Sequence, residues 1–351
     1  MEKRNSSIEL LRIVMMFLII AHHYCYHGVE ACFSEKQQML AVDMWINVYL
    51  IQILHFVGII GNGTFAVISG YFLINKTASN VKKIKRILIE YIGYILVFII
   101  LALLFMARNG WDIEIGKRIT DIWTSGNWFI TCYIILLLII PNVNKGISII
   151  SEKEYRNLLI ILSTFGFILP GFRFYTGMNI QCSVEGLFIM YLWGGYLKKY
   201  GTNNWWSKKN IFTIVVILSI LVMGFLVLGN QISMIHSSDT NSTIMNFLFP
   251  LVGFFYPLLI FLYANKFEFY SRTVNKISQS VLAIYIIHDN PIVREIIWKR
   301  FSPNINYYSK TMFTVHLLCK VILVFCGALL IDQSRLYICS KIRCLDAQKS
   351  E

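Results

Sequence analysis

Arg12, His22 and His23 lie in a run, Ile8 to His27, whose other residues are mostly apolar. A guanidinium holds phosphate or carboxylate through paired, rigidly oriented donors, and an imidazole with its ordinary pKa near about 6.5 trades protons at neutral pH. Placing an ionisable side chain near a bilayer centre costs at least about 2.5–3.5 kcal/mol on insertion scales, so each one is a functional candidate. Arg12 and His23 are eleven positions apart. Eleven steps of about 100° bring a helix back to within about 20° of its starting direction, so the two share a face, about 16 Å apart along the axis. His27 lies one turn further on nearly the same face, while His22 points about 100° away. Glu9 stands three residues before Arg12, where the two can pair. Spacing alone leaves a plainer alternative open: Arg12 snorkels to lipid phosphates and the histidines sit at the outer interface.

A second group is carried by "SVLAIYIIHDNPIVREIIW", residues 280–298, with Tyr285, His288 and Asp289 ahead of Pro291. The proline removes a backbone donor and is expected to kink the helix. Glu295 follows His288 by seven residues, two turns along the same face of a continuous helix, and Arg294 points elsewhere. A third signal is "GNGTFAVISGYFLIN", residues 61–75. Gly61, Gly63, Ser69 and Gly70 leave small surfaces where another helix, or a long thin ligand, comes close to the backbone. Lys82, Lys83, Lys85 and Arg86 follow, either as a topology signal or as a phosphate site. Weaker candidates are His316 and Lys320, four apart on one face, and Glu90 and Glu185 near helix ends.

The elements that must position these groups are membrane helices. The chain has 351 residues, 56% hydrophobic and 15% charged, against about 25% charged in a soluble domain. Apolar runs approaching or exceeding the roughly 20 residues needed to span hydrocarbon recur throughout. They predict an all-α polytopic protein with ten crossings, near 8–27, 52–74, 87–107, 126–141, 156–170, 182–197, 211–229, 243–264, 281–298 and 311–331. Residues 41–56 read as an interfacial helix or as an extension of the second crossing. Basic residues gather in alternate loops: Lys3 and Arg4; Lys76 to Arg86; Lys198, Lys199, Lys208 and Lys209; Arg335, Lys341, Arg343 and Lys349. The opposite loops at 28–40, 108–125 and 230–242 are poor in net positive charge, with Lys299, Arg300 and Lys310 dissenting. Both termini are therefore expected in the cytoplasm, with one membrane domain over 1–335 and a short tail at 336–351. The net charge of +13 is explained by this distribution, which argues against a nucleic-acid partner. Eight cysteines without a Cys-x-x-Cys pair, most of them in apolar segments, support neither a disulfide framework nor a zinc site.

Four segments together resemble integral-membrane acyltransferase family 3, which includes bacterial O-acetyltransferases of surface polysaccharides: "IELLRIVMMFLIIAHH", "TFAVISGYFLI", "WFITCYIILLLIIP" and "SVLAIYIIHDNPIV". They stand in the family's order and span nearly the whole chain. The resemblance implies a ten-helix enzyme of the bacterial plasma membrane that takes an acetyl group from acetyl-CoA and delivers it to a sugar hydroxyl of a polysaccharide or its lipid-linked precursor. It also implies that Arg12 and His23 are the functional pair. The family's Arg-x-x-Arg is here "KKIKR", so Lys83 and Arg86 occupy that spacing with less bidentate phosphate recognition. On this reading Arg12, Lys83, Arg86 and Ser69 bind the donor. His23 acts as general base or acetyl carrier, with His288 and Glu295 tuning it or orienting the acceptor. With only a short tail after the last crossing, the membrane domain is expected to serve the acceptor alone or with a separate partner. The rival from another class is a glycan transporter or flippase whose intramembrane charges line a permeation path.

Overall fold

The computed structural model describes residues 5–30, 45–124, 127–171, 183–201, 206–236 and 240–348. Lys3, Arg4 and Lys349 of the basic loops, the charged residues Glu35, Lys36 and Asp239 of the loops at 28–40 and 230–242, and two of the eight cysteines, Cys32 and Cys182, lie outside the described residues. Among the described residues there are helices and no strand. In chain order they are α1 (Ser6–Gly28), α2 (Trp45–Leu73), α3 (Val81–Asn109), α4 (Ile113–Thr124), α5 (Trp128–Ile149), α6 (Glu152–Ser163), α7 (Leu169–Gly171), α8 (Val184–Tyr200), α9 (Lys208–His236), α10 (Thr240–Ala264), α11 (Arg272–Ile277), α12 (Val281–His288), α13 (Pro291–Arg294) and α14 (Phe313–Gln348).

Seven of these helices are long and apolar enough to cross a membrane: α1, α2, α3, α5, α9, α10 and α14. The other three expected crossings also fall on helix, but on pieces that are short or broken. Residues 156–170 lie on α6 and α7, joined by a π-helical turn at Thr164–Ile168. α8 covers the described part of 182–197 and has 17 residues. Residues 281–298 form two half-helices and a second π-helical stretch, Glu295–Arg300. The stretch before crossing two resolves from Trp45 onward as an extension of α2. α14 likewise continues as helix past 331 to Gln348.

Two helices among the described residues fall outside the expected crossings, the six-residue α11 and the longer α4. α4 sits in what reads as a charge-balanced loop, because its apolar face is only Ile115, Ile119 and Ile122. That face packs on α3 and on Ile292, with Arg118 flanking it and reaching Glu295. Asp112 starts the helix by accepting from the Ile115 amide at 3.1 Å. Arg300 holds the Asp112 carboxyl well below the usual carboxylate range, tying α4 to the stretch after α13.

The glycine-rich signal in α2 serves helix packing. A Cβ on Gly70 would stand 1.8 Å from the Tyr191 carbonyl oxygen, and one on Gly194 would stand 2.0 Å from the Val67 carbonyl oxygen. The α2 and α8 backbones therefore touch, and only hydrogen fits at either position. Gly61 accommodates Ile19 of α1, and Gly63 accommodates Pro257 of α10. Three helices thus seat on α2, the most enclosed of the long helices, and α1 is packed between α2, α12 and α14.

Candidate active site

The α1 stripe Arg12, Met16, Ile19, spaced i, i+4, i+7, turns inward and lines a cavity of about 490 Å³. Its polar wall also includes Asn62 and Ser69 from α2, Lys83, Arg86 and Glu90 from α3, Tyr133 from α5, and Gln279. The four residues read as donor-binding, Arg12, Lys83, Arg86 and Ser69, thus meet on one cavity. Arg12 donates to Glu9 at 3.0 Å and keeps 28% of its side chain exposed. Lys83 Nζ donates to the Tyr133 hydroxyl at 2.8 Å, and that hydroxyl lies 3.3 Å from Ser69 Oγ. Tyr133 was not singled out by sequence: a tyrosine within an apolar run carries no signal until a cation is brought to it across α3.

Along α1 the cavity follows Arg12 to Ile19, and along α12 it follows Val281 to Tyr285. It ends at Phe129 and Tyr285, which meet edge to face at 5.3 Å between ring centroids. Directly behind Tyr285 are His23, with ring centroids 6.5 Å apart, and His288, at 5.9 Å. Neither histidine lines the cavity.

The two histidines form one hydrogen-bonded unit. His288 is fully buried, and its Nδ1 lies 2.7 Å from the Ile284 carbonyl, which only accepts; that nitrogen therefore carries the proton. In the neutral ring this leaves His288 Nε2 as an acceptor. It faces His23 Nδ1 at 2.9 Å, so His23 Nδ1 is the donor. The network thus assigns the lone pair of His23 to Nε2, the nitrogen suited to a base or nucleophile. Asp289 Oδ1, 3.6 Å from His23 Nδ1, supplies negative charge beside any imidazolium that forms there.

His288 and Asp289 stand where they do because the helix stops. α12 ends at His288, the Asn290 side chain accepts from the Ile292 amide at 3.0 Å, and Pro291 opens α13 at the position where a missing N–H costs least. The expected kink is thus a full break. It overturns the reading of Glu295 as two turns beyond His288 on a shared face. Glu295 instead accepts from Arg118 Nε at 3.1 Å and lies 3.9 Å from Lys299 and 3.8 Å from Arg300. Those contacts belong to a second cavity of about 330 Å³, lined by His27, Arg118, Asp121, Pro291, Arg294, Glu295 and Lys299.

Ligand-type atoms of His23, His27 and Asp289 lie within 4.8 Å of one another, the spacing a metal ion would require. The donor set does not suit one. His23 Nδ1 is engaged with His288, and Arg294 Nη1 already lies 3.2 Å from His27 Nε2 and 3.8 Å from Asp289 Oδ1. A guanidinium therefore occupies the cationic position in that cluster.

The remaining candidates are structural. His316 Nδ1 lies 2.6 Å from the Tyr24 hydroxyl and its ring stacks on Tyr307 at 3.7 Å. Lys320 donates to the carbonyls of Phe301 and Ser302 at 2.6 and 2.7 Å and to Asn304 at 2.8 Å, fixing the chain that precedes α14. Glu90 lines the first cavity and is neutralised there by Arg335 at 3.1 Å.

A helical membrane protein with a buried imidazole pair at the end of a cation-lined cavity has the equipment of a membrane transferase. Residues 5–333 match the family model described as "Acyltransferase domain". The chain belongs to integral-membrane acyltransferase family 3. No curated protein and no solved structure matches it.

Proposed function

We propose that this membrane acyltransferase is an O-acetyltransferase of the bacterial plasma membrane that moves an acetyl group from cytoplasmic acetyl-CoA to a hydroxyl of a cell-envelope or exported polysaccharide, or of its lipid-linked precursor. The observation that carries this reading is the convergence of Arg12, Lys83, Arg86 and Ser69 on one cavity that stops one side chain short of His23. Coenzyme A has phosphates at one end and its thioester at the other end of a long arm. The basic residues suit the phosphates, and the apolar run Met16, Ile19, Phe129 suits the arm. A cavity of about 490 Å³ falls in the roughly 300–1,000 Å³ range of small-molecule sites. The adenosine end stays at the mouth, beside the basic loop that marks the cytoplasmic side.

In the reaction, His23 Nε2 takes the proton of the acceptor hydroxyl as its oxygen attacks the thioester carbon. The C–S bond breaks, a C–O ester bond forms, and the thiolate leaves and receives the proton from His23. His288 holds the His23 ring in the required tautomer, and Asp289 stabilises the transient imidazolium. Tyr285 stands between cavity and imidazole, so the thioester reaches His23 as Tyr285 moves aside. Membranes containing the protein, incubated with labelled acetyl-CoA and an envelope glycan extract, are expected to label the glycan. Transfer undiminished in His23→Ala removes His23 from the mechanism, and no transfer to any glycan favours a transporter.

A further inference from the structure

The second cavity lies on the far side of the histidine pair from the first. Along α1 the first is lined by residues 12, 16 and 19 and the second by residue 27; along the α12–α13 path the first reaches Tyr285 and the second begins at Pro291. His23, His288 and Asp289 form the partition between them. Of the seven residues lining the second space only Pro291 is apolar, so the space offers a polar ligand several charged side chains to pair with.

Its charges are not equally committed. Arg118 is paired at hydrogen-bond distance with Asp121 at 2.6 Å and with Glu295 at 3.1 Å. Arg294 meets its nearest carboxylate oxygen only at 3.8 Å, and its hydrogen bond at 3.2 Å goes to the neutral His27 ring. Lys299 meets its nearest carboxylate oxygen at 3.9 Å. Both stay partly open, with 24% and 35% of their side chains exposed. Two cations held loosely around one polar space, next to the reacting imidazole, leave donors for an incoming anion.

Resting on the acetyltransferase reading, we propose that this second cavity is the acceptor subsite, and that Arg294 and Lys299 select an acceptor glycan bearing a carboxylate or phosphate close to the hydroxyl that is acetylated. Donor and acceptor then approach His23 from opposite ends, and the partition keeps acetyl-CoA away from bulk water on the acceptor side.

The test uses membranes containing the full chain, labelled acetyl-CoA, and three forms of one envelope glycan: untreated, with carboxylates chemically reduced to alcohols, and with phosphates removed by hydrogen fluoride. One treatment is expected to raise the apparent KM for glycan by about tenfold, the loss of one charge-assisted contact, with the KM for acetyl-CoA unchanged. Lys299→Gln and Arg294→Gln should reproduce that rise with untreated glycan and add little with the treated form; Lys299→Gln, at the more exposed position, is the variant least able to disturb folding. The treatment that matters identifies carboxylate or phosphate. Equal acceptance of all three glycans, or a rise in the acetyl-CoA KM in Lys299→Gln, overturns the subsite. Absence of label transfer to untreated glycan by the unsubstituted protein is a separate result, which removes the enzyme reading on which the subsite rests.

Discussion

His23 acquires its chemistry from a partner 265 residues away. A lone imidazole distributes its proton between two nitrogens; here the chain from the Ile284 carbonyl through His288 commits one and frees the other. His288→Leu removes the acceptor for His23 Nδ1 and is expected to lower kcat by about 10- to 100-fold with little change in the KM for acetyl-CoA. His288→Gln can still accept at that position and should lose less; equal losses in both would mean the ring serves packing only. Arg12→Gln works at the other end and should raise the KM for acetyl-CoA by about tenfold, with kcat nearly retained. The Arg12–His23 relation was legible because it follows from helix pitch alone. The pairing of His23 with His288 was not, since periodicity gives the face of each helix and not which faces meet.

At the scale of elements, the break at Asp289–Asn290–Pro291 decides which residues belong to which cavity. Sequence announces it through Pro291, yet a proline allows either a kink or a stop, and Glu295 is misassigned if the helix is taken as continuous. α4 is hard to read for a related reason: only three of its four isoleucines share the inward face, too short an apolar stripe in twelve residues to distinguish from a loop. The glycines of α2 read equally well as a helix seat or a ligand seat until their neighbours were known. Gly70→Ala and Gly194→Ala should each destabilise the protein by about 1–3 kcal/mol, because the backbones of α2 and α8 must separate. Gly93→Ala, whose Cβ meets nothing within 4 Å, should be neutral or stabilising by up to about 1 kcal/mol. Thermal melts of the detergent-solubilised protein measure all three, and a Gly93 variant as damaging as the Gly70 variant would contradict the packing argument.

At the scale of the whole molecule, seven helices follow directly from length and composition, while the short and broken pieces are legible only as apolar runs between loops of alternating charge. The proposed sidedness puts Lys85 in the cytoplasm and Lys117 outside. Cysteines introduced at these two positions in a cysteine-free background should react with a membrane-impermeant maleimide from opposite sides; labelling of both from one side contradicts the two-ended arrangement. A transporter needs one path that opens alternately, whereas two cavities separated by an engaged histidine pair suit chemistry at the partition. The most direct test of the central claim is transfer of labelled acetyl from acetyl-CoA to glycan by membranes carrying the unsubstituted protein, Arg12→Ala or His23→Ala at matched folded amounts. The account predicts transfer in the first, transfer restored only at high acetyl-CoA in the second, and a loss of at least about 100-fold in the third; full transfer by His23→Ala would contradict it.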